Sequence, residues 1–248
     1  MDILSSIINN LQDDARVKEV RIGPFWTAVI SKNCGLASTT LGFQEHIASG
    51  PPVKEAGSLR EKTALELCKY VDSESLLERS VGLAAINSLL TVQPETLREI
   101  NAAEVLARLG ADKNVCVVGH FPFINKLRTQ VKQLWVLELR PQPGDLPAGE
   151  AARIIPQADL VAITSTALIN GTMNNLLALR REDALTMVLG PTTPITPLWF
   201  DYNVDIVSGT LVTDPEIVLR LVSEGVTFRQ FRGRGVQAVT MVSPRLQF

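Results

Sequence analysis

The sequence predicts an α/β protein, an amino-terminal α+β unit followed by a Rossmann-like open and mostly parallel sheet. Three observations lead there. From Asn114 onward, short apolar strands alternate with helical segments, and interposed helices force parallel pairing with right-handed crossovers. The first hundred residues instead run strands first and helices afterwards, the α+β order. The composition, 46% hydrophobic against 20% charged over 248 residues, supplies enough apolar surface for a real core, in one large domain or two of ordinary size. A helix ended by Gly110 leads into the second rhythm, so the expected domains are residues 1–110 and 111–248.

The elements follow in order. Asp2–Asp14 reads as a helix because Ile3, Leu4, Ile7, Ile8 and Leu11 recur at helical spacing. Val17–Ile22, Trp26–Ser31 and Leu36–Thr39 have strand character, separated by the turn signals Gly23-Pro24 and Asn33–Gly35, which predicts a small antiparallel meander. Helices are expected at Leu59–Tyr70 and Ser75–Leu90, the second with Ser73 as N-cap and Glu74 in its first turn. The latter half of that helix, VGLAAINSLL, is apolar almost all round, which implies burial on more than one side. Another helix is read over Leu97–Leu109.

In the second half, Val115–Val118 is a continuous apolar strand, the pattern of a strand covered on both faces. A helix from near Pro122, strands at Gln133–Leu139 and Ala158–Thr164, a helix at Leu168–Leu179 and a strand at Leu185–Leu189 follow. Val204–Val207 with Thr210–Val212 reads as one more strand. Asp214 caps a helix with Pro215 in its first position and Gly225 after its end, and Val236–Val242 closes the sheet.

Several classes are excluded. Net charge is −2 with acids and bases interleaved, so no basic tract marks a nucleic-acid surface. The start MDILSSIINN has neither the basic flank nor the apolar core of a signal peptide. No apolar run is long enough to span a bilayer. These readings predict a soluble, cytoplasmic protein. Cys34, Cys68 and Cys116 are odd in number and widely spaced, which fits buried core residues rather than disulfides or a zinc site.

In an open parallel sheet, ligands bind beyond the carboxyl ends of the strands, so the residues directly after each strand are the candidates. After the first comes Gly119-His120-Phe121-Pro122-Phe123. Gly119 allows close backbone approach, and His120, one of two histidines, either serves a ligand or bonds to backbone. After the second come Glu138, Arg140 and Asp145. The acids could hold ribose hydroxyls or stabilise a turn; Arg140 could clamp an anion or make a surface ion pair. The third delivers Thr164-Ser165-Thr166 and then Asn170-Gly171-Thr172, more hydroxyls than capping alone explains. The fourth ends in Gly190-Pro191-Thr192, opening a proline-stiffened loop suited to a preorganised pocket wall. Asn87, in the apolar helix, is a polar group that needs partners, in the core or at an interdomain cleft. His46 sits in a polar segment, FQEHIASG, that reads as surface. GxGxxG, HExxH, GxxxxGK(S/T) and GxSxG are all missing.

Six segments in order, GLAAINSLL (Gly82–Leu90), VVGHFPF (Val117–Phe123), RPQPGDLP (Arg140–Pro147), ADLVAITSTALINGTM (Ala158–Met173), LGPTTPITP (Leu189–Pro197) and VSGTLVTD (Val207–Asp214), resemble the DUF364 family, which carries a heavy-metal chelation label. RIGPFWTAVIS (Arg21–Ser31) and GLAST (Gly35–Thr39) resemble its usual partner, DUF4213. The resemblance implies an enolase amino-terminal-like first domain, a Rossmann-like second domain and a site in the cleft between them. It points to Asn87, His120, Thr164, Ser165, Asn170, Thr172, Gly190, Pro191 and Thr192 as site positions. It further implies handling of a transition metal or a metal-containing small molecule, and no enolase catalytic triad.

Chemistry narrows this. A tight transition-metal site needs three or four Cys, His or carboxylate ligands, whereas the candidates here offer His120 with Asp145 or Glu138. That set suits an oxygen-rich organic ligand, or a metal already held by a chelator, better than a bare ion. The expectation is a small-molecule-binding protein for a metal chelate or tetrapyrrole-like ligand, with His120 as acid/base or metal-ligating group and turnover left open. Gly119, Arg140, Asp145, Ser165 and Thr166 complete the ligand-binding set. The rivals are a non-catalytic carrier or sensor and a nucleotide- or S-adenosylmethionine-dependent transferase, against which the missing glycine fingerprint counts. The partner expected is a small molecule, with no nucleic acid and no membrane. A homo-oligomer is left open.

Overall fold

The computed structural model describes residues 2–40, 51–231 and 233–246; the segment around His46 lies outside the described residues. The chain opens with helix α1 (Ile3–Asn9), strands β1 (Glu19–Ile22), β2 (Trp26–Ile30) and β3 (Cys34–Ser38), and helices α2 (Ala64–Cys68) and α3 (Leu76–Leu89). Strand β4 (Leu97–Arg98) and helix α4 (Ala102–Gly110) precede β5 (Asn114–Val118), α5 (Ile124–Leu127), β6 (Gln133–Glu138), β7 (Leu146–Pro147) and α6 (Ala151–Ile154). Then come β8 (Leu160–Thr164), α7 (Thr166–Ile169), α8 (Met173–Leu179), β9 (Leu185–Leu189), β10 (Ile206–Val212), α9 (Pro215–Ser223), α10 (Phe228–Phe231) and β11 (Val236–Val242). Among the described residues no helix is long and apolar enough to cross a membrane.

The chain forms two compact units that are not consecutive stretches. The first comprises Met1–Gln93, Pro191–Thr196 and Gly209–Ala238; the second comprises Pro94–Gly190, Pro197–Ser208 and Val239–Phe248.

In the first unit β1, β2 and β3 pair antiparallel in that order, the meander that the turn signals predict. Helix α3 packs closely on β3 because Gly35 has no side chain: a Cβ there would lie 2.0 Å from the Ala84 carbonyl oxygen. Nearly every residue of α3 from Val81 to Leu89 is buried, as its all-round apolar sequence implies. Beside it, Trp26, Ala28 and Leu36 share a core with Val218, Leu221, Val222 and Phe231. The buried Trp26 indole donates to the Val226 carbonyl at 2.9 Å, which satisfies its one polar group.

The α/β expectation holds for the larger sheet. Among the described residues its order is β4-β11-β10-β9-β8-β5-β6-β7. The pairs from β7 through β6, β5, β8 and β9 to β10 are parallel, and the edge strand β4 runs antiparallel to β11. In the second unit Val115, Val117, Val136, Leu160, Ala162, Met187 and Ile206 of the sheet pack with Val105 and Leu106 of α4 and Ile124 and Leu127 of α5. Those strands are buried runs rather than alternations, as parallel strands are.

Local details differ from the sequence reading, each for a physical reason. Helix α1 ends at Asn9 rather than Asp14, because Asn10 bends its amide back onto the Ser6 carbonyl at 2.8 Å. The stretch read as Leu59–Tyr70 is broken at Thr63, whose hydroxyl and Glu66 form a capping box that starts a new helix. Ser75, not Ser73, caps α3, accepting from the Glu78 N–H in extended geometry; the Ser73 hydroxyl instead donates to the Glu78 carboxylate. Leu97 and Arg98 pair with Met241 and Thr240 as a strand, and Asn101 caps the helix that follows. The helix read over Leu168–Leu179 is two, because Gly171 adopts φ 76° between α7 and α8. Gly171 therefore bears no mid-helix cost; it is the residue that permits the turn. Ser208-Gly209-Thr210 lie within the continuous strand β10.

Candidate functional site

In the second unit β5 lies between β6 and β8. The chain leaves β5 toward β6 and later crosses back to β8, so the loops after β5 and β8 part in opposite directions. An open sheet offers its ligand crevice at that switch point.

His120 stands in the first of these loops. The preceding Gly119 has φ 101°, and a Cβ on it would come within 3.0 Å of Thr164 Cβ. Close approach of the two loops thus requires glycine on both counts. The His120 backbone N–H donates to Glu138 Oε2 at 2.9 Å. The other oxygen, Oε1, accepts from the N–H groups of Leu139 and Arg140 at 2.7 and 3.2 Å. Glu138 is therefore a clamp that ties the end of β6 to the loop after β5. With both oxygens engaged, it is poorly placed to take the ribose role that its strand position suggests.

The imidazole is oriented by Asp145. His120 Nδ1 lies 2.8 Å from Asp145 Oδ2, with the histidine side chain 23% exposed and the aspartate side chain 1% exposed. Oδ2 also accepts from the Gln142 N–H at 3.0 Å, and the Asp145 N–H donates to the Gln142 carbonyl at 2.9 Å. The QPGD turn, with Gly144 at φ 93°, thereby carries the carboxylate to the imidazole. A carboxylate accepts, so the pairing favours a proton on Nδ1 and leaves Nε2 as the ring nitrogen turned away from Asp145. Asp145 Oδ1 is buried without a partner.

The loop after β8 supplies hydroxyls. Thr164 Oγ1 and Thr166 Oγ1 are 3.0 Å apart. The Ser165 N–H donates to the Leu189 carbonyl at 2.8 Å, while its Oγ, in a residue 1% exposed, has no partner. Gly190, at φ 126°, leaves room for that hydroxyl; a Cβ would lie 2.7 Å from it. Asn170 Oδ1 accepts from the Thr172 N–H and hydroxyl at 3.1 and 2.7 Å, so this pair holds the turn between α7 and α8.

The residues singled out in the sequence thus fall into two groups. Gly119, at the end of β5, lies against Thr164, which pairs with Thr166; His120 pairs with Asp145 in the loop between β6 and β7; and Gly190, at the end of β9, lies against Ser165. Asn87, Pro191 and Thr192 belong to the first unit. There Asn87 Nδ2 donates to the carbonyls of Leu36 and Thr192 at 2.9 and 3.1 Å. Thr192, fully buried, accepts from the Ser38 N–H at 2.9 Å and donates to Ser38 Oγ at 3.1 Å. Arg140 is exposed. Sequence reasoning missed the Glu138 clamp and the pairing of His120 with Asp145. Strand-end positions pointed to each residue but gave no distance between them.

The DUF364 family model, described as "Putative heavy-metal chelation", matches residues 101–241, more than half of the chain. The chain belongs to the DUF364 family. A DUF4213 model with the same description matches residues 4–90. The DUF364 chain is 28% identical over 180 residues to an uncharacterised protein of Methanocaldococcus jannaschii, spanning 68% of this chain and 69% of that one. A crystal structure of a DUF364 protein of unknown function from Desulfitobacterium hafniense matches with a TM-score of 0.85 at 26% identity, covering 97% of this chain and 98% of that one. A DUF364 structure from Pyrococcus horikoshii reaches 0.80 at 18% identity over the same shares, a likeness of fold alone.

The DUF364 description raises the question of a bare metal ion, and the donor set answers it. Among the described residues no group of three or more His, Cys, Asp or Glu is arranged to hold one. Cys34, Cys68 and Cys116 are buried, and burial pushes each thiol up to about 12, so none is the thiolate that a soft metal needs. Around His120, both oxygens of Glu138 accept from backbone N–H groups, and Asp145 has one oxygen on the ring and the other buried. These residues do not fit a bare heavy-metal ion.

Proposed function

We propose that the protein binds a small, oxygen-rich organic ligand, an organic chelator or its metal complex, at the carboxyl ends of β5 and β8, and that His120 handles a proton or donates to the metal of the complex. The observation that carries this reading is the His120–Asp145 pair. A buried carboxylate fixes one tautomer of a partly exposed imidazole, the arrangement that suits both a general base and a single metal donor. The hydroxyls of Thr164 and Thr166 support hydrogen bonding to ligand oxygens. A complex that already satisfies most of its metal's valences needs one donor from the protein, and one histidine is what these residues supply.

Native mass spectrometry and elemental analysis of freshly purified protein test the reading. The expected result is an organic mass, with or without a metal in fixed ratio to it, that co-purifies with the native protein. A metal at one per chain without any organic mass would overturn it. Stabilisation by S-adenosylmethionine or a nucleotide, with no effect of His120→Ala, would replace it with the transferase reading. If the isolated ligand is converted by the native protein but only bound by His120→Ala, the histidine is a proton-transfer group and the protein an enzyme. If His120→Ala loses affinity alone, the protein is a carrier.

A further inference from the structure

Two devices let a parallel sheet of this kind hold nucleotides. Successive N–H groups in the loop after the first parallel strand cradle phosphate, and an acid at the end of the second holds ribose hydroxyls. In this chain the two devices are joined to each other. Glu138, the last residue of β6, turns its carboxylate back onto the loop after β5. Its Oε2 accepts from the His120 N–H at 2.9 Å, and its Oε1 accepts from the N–H groups of Leu139 and Arg140 at 2.7 and 3.2 Å. The Gly119 N–H is also spent on β6, donating to the Leu137 carbonyl at 2.8 Å, and Pro122 has no N–H to offer. From Gly119 to Phe123, therefore, no two successive N–H groups remain to cradle a phosphate. Helix α5, which follows, has four residues and adds little dipole in their place.

Three N–H groups converging on one carboxylate make an anion seat, and the chain fills that seat from within. Such charge-assisted bonds are roughly twice as strong as neutral ones, so a passing anion does not displace Glu138. A second carboxylate, Asp145, lies 2.8 Å from the His120 ring. A phosphate arriving here would meet two like charges, and repulsion of a wrong ligand discriminates as well as attraction of the right one. We infer that Glu138 is the specificity-determining residue of this crevice: it positions His120, and it shuts out nucleotides and other phosphorylated compounds. The inference rests on the proposed function for where the ligand sits and deepens it by naming the ligand class, an organic compound without phosphate. The acid whose strand position suggests ribose binding is the group that closes the phosphate seat.

Amide and histidine-ring NMR on the full chain tests this with inorganic phosphate, ATP and acetate as probes. In the native chain phosphate and ATP should shift none of the amides of residues 119–121 and 138–140. Glu138→Ala removes the equivalent of one acetate, so the His120, Leu139 and Arg140 amides should move. Acetate should then bind saturably to that variant, at least about tenfold more tightly than to the native chain, the yield of one charge-assisted hydrogen bond. It should also return the His120 amide and ring signals toward their native positions, whereas acetamide, the same shape without the charge, should do neither. Glu138→Gln keeps the seat filled with a group whose NH2 cannot accept, so it should move the His120 amide or those of Leu139 and Arg140 and bind no acetate. A glutamate that merely supports the fold would leave no anion site behind on removal. Phosphate or ATP shifts at these amides in the native chain, no acetate binding by a folded Glu138→Ala, or acetate binding that leaves the His120 signals displaced would overturn the inference. If Glu138→Ala does not fold, Glu138→Gln decides, and unmoved amides at all three residues would overturn it. No readout here needs the native ligand, so a chain that purifies without any organic mass counts against the proposed function and leaves these results standing.

Discussion

At the scale of single residues, the protein's chemistry depends on how burial and hydrogen bonding set protons. Asp145 accepts from both the His120 ring and the Gln142 N–H, so it fixes a tautomer and closes a turn at once. Asp145→Asn replaces a pure acceptor with an amide that can also donate, which removes the reason for Nδ1 to keep the proton. Above the pH at which the ring loses its charge, long-range proton–nitrogen NMR should show the Nδ1-protonated tautomer alone in the native protein and a mixture in the variant. The variant should be less stable by ~1–3 kcal/mol, since a charge-assisted bond is lost from a buried site; an unchanged tautomer would mean that Asp145 does not orient the ring. The three cysteines make a separate prediction about pH. Their thiols are pushed from an ordinary 9.0 to about 12 in the folded chain. Between those values the unfolded chain gives up protons that the folded chain keeps, so stability is fully present below pH 9 and falls as pH rises toward 12. The slope is at most ~1.4 kcal/mol per pH unit for each thiol. Denaturant titrations from pH 8 to 11 should show this fall, and Cys34→Ala, Cys68→Ala and Cys116→Ala together should flatten it. In the native state a thiol reagent should modify none of the three at pH 7.

At the scale of elements, glycines decide where backbones approach. Gly35 lets β3 lie directly on α3, and a Cβ would meet Ala84 O at 2.0 Å, Ser88 N at 2.4 Å and the Asn87 carbonyl carbon at 2.8 Å. All three are backbone atoms and cannot swing aside, so Gly35→Ala must push a strand off a helix. A loss of ~1–3 kcal/mol or more is expected from overpacking of this kind, measured as a lower midpoint in chemical unfolding. Gly149, with nothing within 4 Å of its Cβ position, is the control that should tolerate alanine. The elements themselves were largely legible. The parallel strands announce themselves as apolar runs, and Asp214, Pro215 and Gly225 mark both ends of α9, where Asp214 does accept from the Ile217 N–H. What escaped was local competition between similar residues. Ser73 and Ser75 are equally good caps on paper, and only the backbone conformation selects Ser75. Gly171 falls inside the single helix read over Leu168–Leu179 until Asn170 and Thr172 are seen to close a turn around it. For the candidate site, the rule that ligands gather beyond strand ends made His120, Asp145 and Ser165 candidates from sequence alone. It left unread the 25-residue separation that the QPGD turn closes between His120 and Asp145, because that contact depends on a tertiary distance.

At the scale of the whole molecule, the chain's order and its compact units do not coincide, and this has a consequence for folding. The strands-then-helices segment that ends near Gly110 contains β1–β3 and α1–α3, and by sequence it resembles a domain. Its core is not complete within that segment. Trp26 and Leu36, 7% and 2% exposed, are covered by Val218, Leu221, Val222, Val226 and Phe231, which enter the first unit from residues 209–238. The Trp26 indole finds its acceptor on Val226, and Ser38 finds its partner on Thr192. A fragment of residues 1–110 would expose the face of β2 and β3 that carries Trp26, and would leave the indole N–H and the Ser38 N–H to water. Uncovering one large aromatic and one leucine costs ~1.5–3 kcal/mol apiece, against a total stability for a domain of ~5–15 kcal/mol. The fragment also loses every contact of α9 and α10. It should therefore show no cooperative thermal transition, a solvent-exposed tryptophan emission and a narrow amide spectrum, whereas the full chain unfolds cooperatively. Adding residues 191–238 back on the same chain should restore the dispersed spectrum. If instead residues 1–110 fold alone with a buried Trp26, the contribution of α9 and α10 to that core is smaller than their contacts imply.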